Sequence, residues 1–146
     1  SHYISFNIRL PEAIFAGTPW SDLTKTGDSY YIMEGIDHVV ISYEGFLEQS
    51  ALLYADGKDL RDPYLSPVYG NVSNFHPTFL LTGTRDMFQS NTSRMQRILN
   101  DNGVKTELVL LEGFSHADYG LMPDAPESKA AFMDLRRFLK EEVGLE

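Results

Sequence analysis

The stretch Lys105-Thr106-Glu107-Leu108-Val109-Leu110-Leu111-Glu112-Gly113-Phe114-Ser115-His116 decides the fold. Lys105 to Leu111 reads as a strand. Its continuously apolar end, Val109-Leu110-Leu111, is expected of a strand covered on both faces, as in a parallel sheet. Upstream, Asn102-Gly103 supplies the residues suited to a left-handed helix cap, and Met95, Ile98 and Leu99 share one face of the helix it ends. Before that helix, Thr78 to Thr82 is a second strand. Farther back, Glu12-Ala13-Ile14-Phe15-Ala16 lies between Pro11 and Gly17 and reads as a buried strand. Tyr43 to Ala55 follows it with Phe46, Leu47, Leu53 and Tyr54 at helical spacing and Gly57 as a stop. Lys58 to Pro77 is a long irregular connection. Downstream of His116, Asp124-Ala125-Pro126-Glu127 has the form of a capping box. Ala131, Leu135, Phe138 and Leu139 then make a helical stripe. Strand alternates with helix three times, which predicts an α/β fold. It is a three-stranded parallel sheet with crossover helices, one domain over residues 1–146. So few strands leave exposed edges, which another chain or a larger sheet is expected to cover.

Composition narrows the function. Acidic residues exceed basic ones, 21 to 12, among 146 residues, for a net charge of -9. Nucleic acid and anionic membrane both ask for a basic face, so neither is expected as a partner. No apolar run reaches the roughly 18 residues of a membrane span. Without cysteine the chain forms no disulfide and no thiolate metal site, which fits a reducing, cytoplasmic setting. There is no His-Glu-x-x-His, no glycine-rich phosphate loop and no carboxylate cluster at metal spacing. No metal and no cofactor are expected. Ser1-His2 reads as the remnant of a cleaved tag.

Ligands of an open parallel sheet bind outside the carboxyl ends of its strands. Three loops leave those ends here, carrying Thr18-Pro19-Trp20-Ser21-Asp22, Thr84-Arg85-Asp86 and Ser115-His116-Ala117-Asp118. If the second and third strands are neighbours, Asp86 and His116 emerge about 5 Å apart. A carboxylate beside an imidazole is the orienting half of a catalytic triad. Two plainer readings stand beside it: Asp86 as a helix N-cap, and His116 as a hydrogen-bonded loop histidine. Asp22 is a second residue placed to orient a base. His38 and His76 fall in cap or loop segments without an evident partner. Gly113-Phe114-Ser115-His116-Ala117 is one residue short of the G-x-S-x-G nucleophile elbow. However, no helix follows at once, and Ser115 comes after Asp86 rather than before it, so Ser115 is not expected to be a nucleophile.

Four segments in register carry a resemblance. They are Gly17-Thr18-Pro19-Trp20-Ser21-Asp22-Leu23-Thr24, Asp62-Pro63-Tyr64-Leu65-Ser66-Pro67, Thr82-Gly83-Thr84-Arg85-Asp86 and Glu112-Gly113-Phe114-Ser115-His116. Together, from about Leu10 on, they resemble the hormone-sensitive-lipase-like carboxylesterases of the α/β-hydrolase superfamily. The resemblance implies the C-terminal half of that fold, with Asp86 as triad acid and His116 as general base. It places Asp62 to Pro67 at the site entrance. Family members often carry a second acidic residue four positions after the triad acid; Ser90 stands there instead. The family's His-Gly-Gly oxyanion motif and Gly-Asp-Ser-Ala-Gly elbow do not occur in the 146 residues.

The expected function is therefore the C-terminal part of a carboxylic-ester hydrolase. It would supply the triad acid and base, with a small-molecule ester as the complete protein's substrate. The isolated chain is expected to be inactive. Phe46, Leu47 and Ala117 are the candidate substrate-binding residues, although for the first two the plainer reading, a helix packing its apolar face, outweighs that role. The alternative is a non-catalytic, truncated module that folds by self-association through its exposed strand edge, as a dimer or higher homo-oligomer.

Overall fold

The apolar runs form three strands, β1 Ile14–Gly17, β2 Thr78–Gly83 and β3 Thr106–Leu111. The computed structural model describes residues 10–144, so Ser1-His2 lies outside the described residues. Among the described residues five α-helices join or follow the strands: α1 Ser29–Ile32, α2 Glu48–Ala55, α3 Gln89–Asp101, α4 Asp118–Leu121 and α5 Pro126–Val143. The strands lie in the order β1-β2-β3, all parallel. Ile14 pairs with Thr78 and Gly17 with Leu81; Thr78 pairs with Thr106 and Gly83 with Leu111.

Successive strand residues point to opposite faces, and β2 uses both. Leu80 packs with Met95 and Leu99 of α3 and with Val68 and Val72 of the long connection. Phe79 and Leu81 pack with Ala131 and Phe138 of α5. Every residue of β2 is buried, and each of its large apolar side chains contributes about 1.5–3 kcal/mol by leaving water. The result is a helix–sheet–helix sandwich centred on β2. The covered strand is thus β2 rather than β3: Val109 packs beneath α5, but Leu110 is 48% exposed. Among the described residues β3 has a strand neighbour on one side alone.

The predicted cap after α3 forms. Gly103 takes φ +75°. Val104 N–H returns to the Leu99 carbonyl at 3.0 Å and Gly103 N–H to that of Asn100 at 3.0 Å, the paired closure of a Schellman motif. Two local expectations fail. Tyr43 to Ala55 is not one helix: Glu44 and Gly45 leave helical geometry, Gly45 at φ +91°. The helical phase is set anew at Glu48, and α2 buries Ala51 and Ala55 while Leu53 and Tyr54 face outward. The capping box before α5 does not close either. Ala125 takes the cap position without a side-chain bond, and Asp124 instead lies 3.1 Å from Lys129 Nζ.

Candidate active site

The parallel register brings the loops after β2 and β3 side by side. Thr84 N–H donates to the Leu111 carbonyl (2.9 Å) and Arg85 N–H to that of Phe114 (3.0 Å). Gly113 N–H donates to Thr84 Oγ1 (2.8 Å). Gly83 permits this closeness, since a Cβ there would lie 1.9 Å from the Phe114 carbonyl oxygen. The two loops therefore behave as one stitched surface at the carboxyl edge.

Asp86 and His116 meet on that surface. His116 Nδ1 lies 3.1 Å from Asp86 Oδ1. The Asp86 carboxylate is fully buried, and its other contacts are hydrogen bonds from a hydroxyl and a backbone amide. Thr82 Oγ1 donates to Oδ2 at 2.7 Å, and Phe88 N–H donates to Oδ1 at 2.8 Å. The Phe88 ring packs edge-on against the imidazole, centroids 5.1 Å apart. With Nδ1–H given to the carboxylate, the imidazole keeps Nε2 as a proton acceptor. The residue after His116, Ala117, sits at φ +58°, a left-handed conformation that costs a non-glycine residue of order 1 kcal/mol and is common at functional sites. The N-cap reading of Asp86 holds only for the local turn through Phe88, since α3 begins at Gln89 with Phe88 as its flanking residue.

The other candidates fall elsewhere. Asp22 orients no base. Its buried carboxylate is taken by Arg94 Nη1 at 2.6 Å, Tyr69 OH at 2.9 Å, and the amide and hydroxyl of Thr24 at 2.9 and 2.6 Å. Burial pulls the Arg94 guanidinium down, but hydrogen bonds to Asp22 and Tyr69 outweigh it and raise it above its ordinary value. His38, expected to lack a partner, has two. Its Nδ1 lies 2.9 Å from Ser115 Oγ, and its Nε2 lies 3.0 Å from Asp118 Oδ1, close enough for an ion pair though out of line for a hydrogen bond. Ser115 is buried and engaged with His38 rather than His116. His76 contributes a carbonyl to Thr78 Oγ1 (2.8 Å). Phe46 is 83% exposed, while Leu47 joins Tyr30, Tyr43, Met87 and Phe88 in a cluster one side chain away from His116.

Sequence reasoning missed three residues around the pair. Thr82 and Phe88 flank Asp86 closely enough for the strand-end position to have suggested them. Asp37 is distant in sequence, and its carboxylate accepts from Met87 N–H at 2.9 Å.

Among the described residues no group of three or more His, Asp or Glu is placed to hold a metal ion, and no helix is long and apolar enough to cross a membrane.

Comparison with known proteins agrees with this architecture. Residues 5–119 match the family described as alpha/beta hydrolase fold. An acetyl-hydrolase of Streptomyces hygroscopicus is 22% identical over 92% of this chain and 44% of its own length. An esterase of Acinetobacter venetianus is 22% identical over 88% of this chain and 42% of its own. The crystal structure of an esterase superposes with a TM-score of 0.93 at 48% identity, covering 97% of this chain and 43% of that one. An esterase of the bacterial hormone-sensitive lipase family superposes with a TM-score of 0.86 at 23% identity, covering 97% and 47%. The chain thus spans less than half the length of these relatives. Its strand order, its stitched loops and the match over most of its residues lead to one assignment: the chain belongs to the alpha/beta-hydrolase fold family, within which it resembles the hormone-sensitive-lipase-like esterases.

Proposed function

We propose that this chain supplies the acid and base of a carboxylic-ester hydrolase. The observation that carries the reading is His116 Nδ1 at 3.1 Å from the buried, doubly hydrogen-bonded Asp86 carboxylate. In this reading a serine from another part of the polypeptide attacks the ester carbonyl. His116 Nε2 takes the serine proton, and Asp86 stabilises the imidazolium so formed. The imidazolium then protonates the departing alcohol, and a water attacking the acyl-enzyme is activated by the same imidazole. The oxyanion donors also lie outside these 146 residues, so the chain by itself is expected to be inactive. Leu47, which packs beside Phe88, and Ala117, next to His116 in the chain, are the residues to test as acyl contacts, whereas Phe46 stands exposed.

The test is hydrolysis of p-nitrophenyl acetate by the polypeptide that joins this chain to the segment carrying the nucleophile elbow. Asp86→Asn is expected to lower kcat by about 10⁴-fold through the wrong imidazole tautomer, and His116→Ala by at least as much. Wild-type turnover in either variant would sink the assignment.

One observation favours a second reading. Among the described residues β1 pairs with β2 alone, and Phe15 on it is 41% exposed, an apolar edge that a second copy could cover. Self-association of the isolated chain is expected, and light scattering that shows a stable monomer would rule it out.

A further inference from the structure

Asp37 is a carboxylate that neither the triad pattern nor the sheet calls for. It is fully buried, and the described ion pairs include no cation beside it. Burying a charge without a counter-ion is expensive unless hydrogen bonds replace its hydration. Here amides do so. Oδ1 accepts from Val39 N–H at 2.9 Å and Val40 N–H at 3.0 Å, a turn closed by its own segment. Oδ2 accepts from Met87 N–H at 2.9 Å. His116 N–H reaches Oδ1 at the longer distance of 3.5 Å. One rigid carboxylate thus binds the amide next to Asp86 and the amide of His116 itself. The neighbouring residue braces the same loop from the other side: His38 meets Ser115 Oγ, and Asp118 Oδ2 accepts from Ser115 N–H at 2.7 Å. The residues flanking or forming the acid–base pair are therefore held from a single short segment, 37–38, which belongs to neither of their loops.

We propose that Asp37 is a positioning residue for the Asp86–His116 pair, fixing the distance between acid and base through the Met87 and His116 amides. The proposal rests on the ester-hydrolase reading above. Asparagine keeps the shape and one acceptor oxygen but turns an amide N–H₂ toward one of the bound N–H groups, so Asp37→Asn releases one side of the brace. A misplacement of about 1 Å in such a pair lowers turnover by about 10²-fold.

The experiment uses the nucleophile-bearing polypeptide, p-nitrophenyl acetate kinetics, and ¹⁵N NMR of the assigned His116 ring. For Asp37→Asn the expected result is kcat lowered by about 10–10²-fold with KM within about twofold. The His116 Nδ1–H signal should be lost or exchange-broadened, and an Nε2–H tautomer should appear. Asp37→Glu, which keeps the charge on a longer arm, is expected to restore part of kcat. A variant that melts earlier yet keeps wild-type kcat and an unchanged His116 ring spectrum overturns the proposal, leaving Asp37 with a role in stability alone. If Asp37→Asn does not fold, amide hydrogen exchange of the wild type decides: Met87 and His116 amides that exchange as freely as open-loop amides overturn it, and joint protection supports it. Failure of the underlying reading looks different. Full activity in Asp86→Asn or His116→Ala removes the triad itself, whatever Asp37 does.

Discussion

In the proposed reaction His116 serves as a base only while its Nδ1–H faces Asp86, and that orientation rests on how the carboxylate is held. Thr82 Oγ1 and Phe88 N–H occupy it from strand and loop, so its plane is fixed before the imidazole arrives. Thr82→Val replaces the hydroxyl by a methyl of equal size and leaves a buried carboxylate oxygen without its donor. The expected result is a loss of about 1–3 kcal/mol in stability and, in the nucleophile-bearing polypeptide, a kcat lowered by about tenfold with little change in KM, read by chemical denaturation and steady-state kinetics. Unchanged kcat would show that Phe88 alone suffices. Ser115 illustrates the limit of motif reading at this scale. Its near-match to a nucleophile elbow is local, while its hydroxyl is committed to His38, 77 positions away.

Among the elements, the junction of β2 and β3 determines the site. Parallel register aligns Gly83 with Leu111, and the loops beyond them share three hydrogen bonds. Gly83→Ala would drive a methyl into the Phe114 backbone, which has nowhere to yield without breaking the Arg85–Phe114 bond. We expect the two loops to part, with at least about 10²-fold loss of kcat in the nucleophile-bearing polypeptide and a lowered melting temperature; a crystal structure of the variant with the Asp86–His116 distance unchanged would contradict this. The elements themselves were legible where burial imposes a period. Thr78 to Thr82 reads as a strand, and Met95 and Leu99 mark the face of α3 that packs on it, but the two-sided cover expected of β3 falls on β2. Where side chains are small or the chain breaks, the pattern misled. Ala51 and Ala55, not Leu53 and Tyr54, face inward from α2, because Gly45 resets the helix phase.

Over the whole molecule, the aromatic cluster above the sheet sets a pH limit. Burial raises the Tyr30 phenol well above its ordinary value, against the hydrogen bond from Asn91, and burial likewise raises Tyr43. Both folded values lie above the unfolded tyrosine's of about 10. The unfolded state therefore gives up its protons first as pH climbs, so this stability is full below about pH 10 and is lost as pH rises through the folded values. Trp20 is the sole tryptophan and stacks on Phe88 in the same cluster, so its fluorescence reports the transition. Tyr30→Phe is expected to flatten the alkaline loss of stability. It should also lower stability at neutral pH by about 1–3 kcal/mol, since Asn91 Nδ2–H loses its acceptor. An alkaline limb identical to wild type would show that Tyr30 does not set it.

The sequence by itself determined the alternation of strand and helix, the cap at Gly103 and the loops that carry Asp86 and His116. Each of these follows from residues within one turn or one strand of each other, where periodicity and backbone preference act. Tertiary structure alone decided that Asp22 pairs with Arg94 rather than a histidine, that His38 holds Ser115, and that Asp37 reaches Met87 and His116. A buried polar group must find its partner wherever the fold brings one. Those partners lie 72, 77, 50 and 79 positions away, separations at which no local pattern carries a signal.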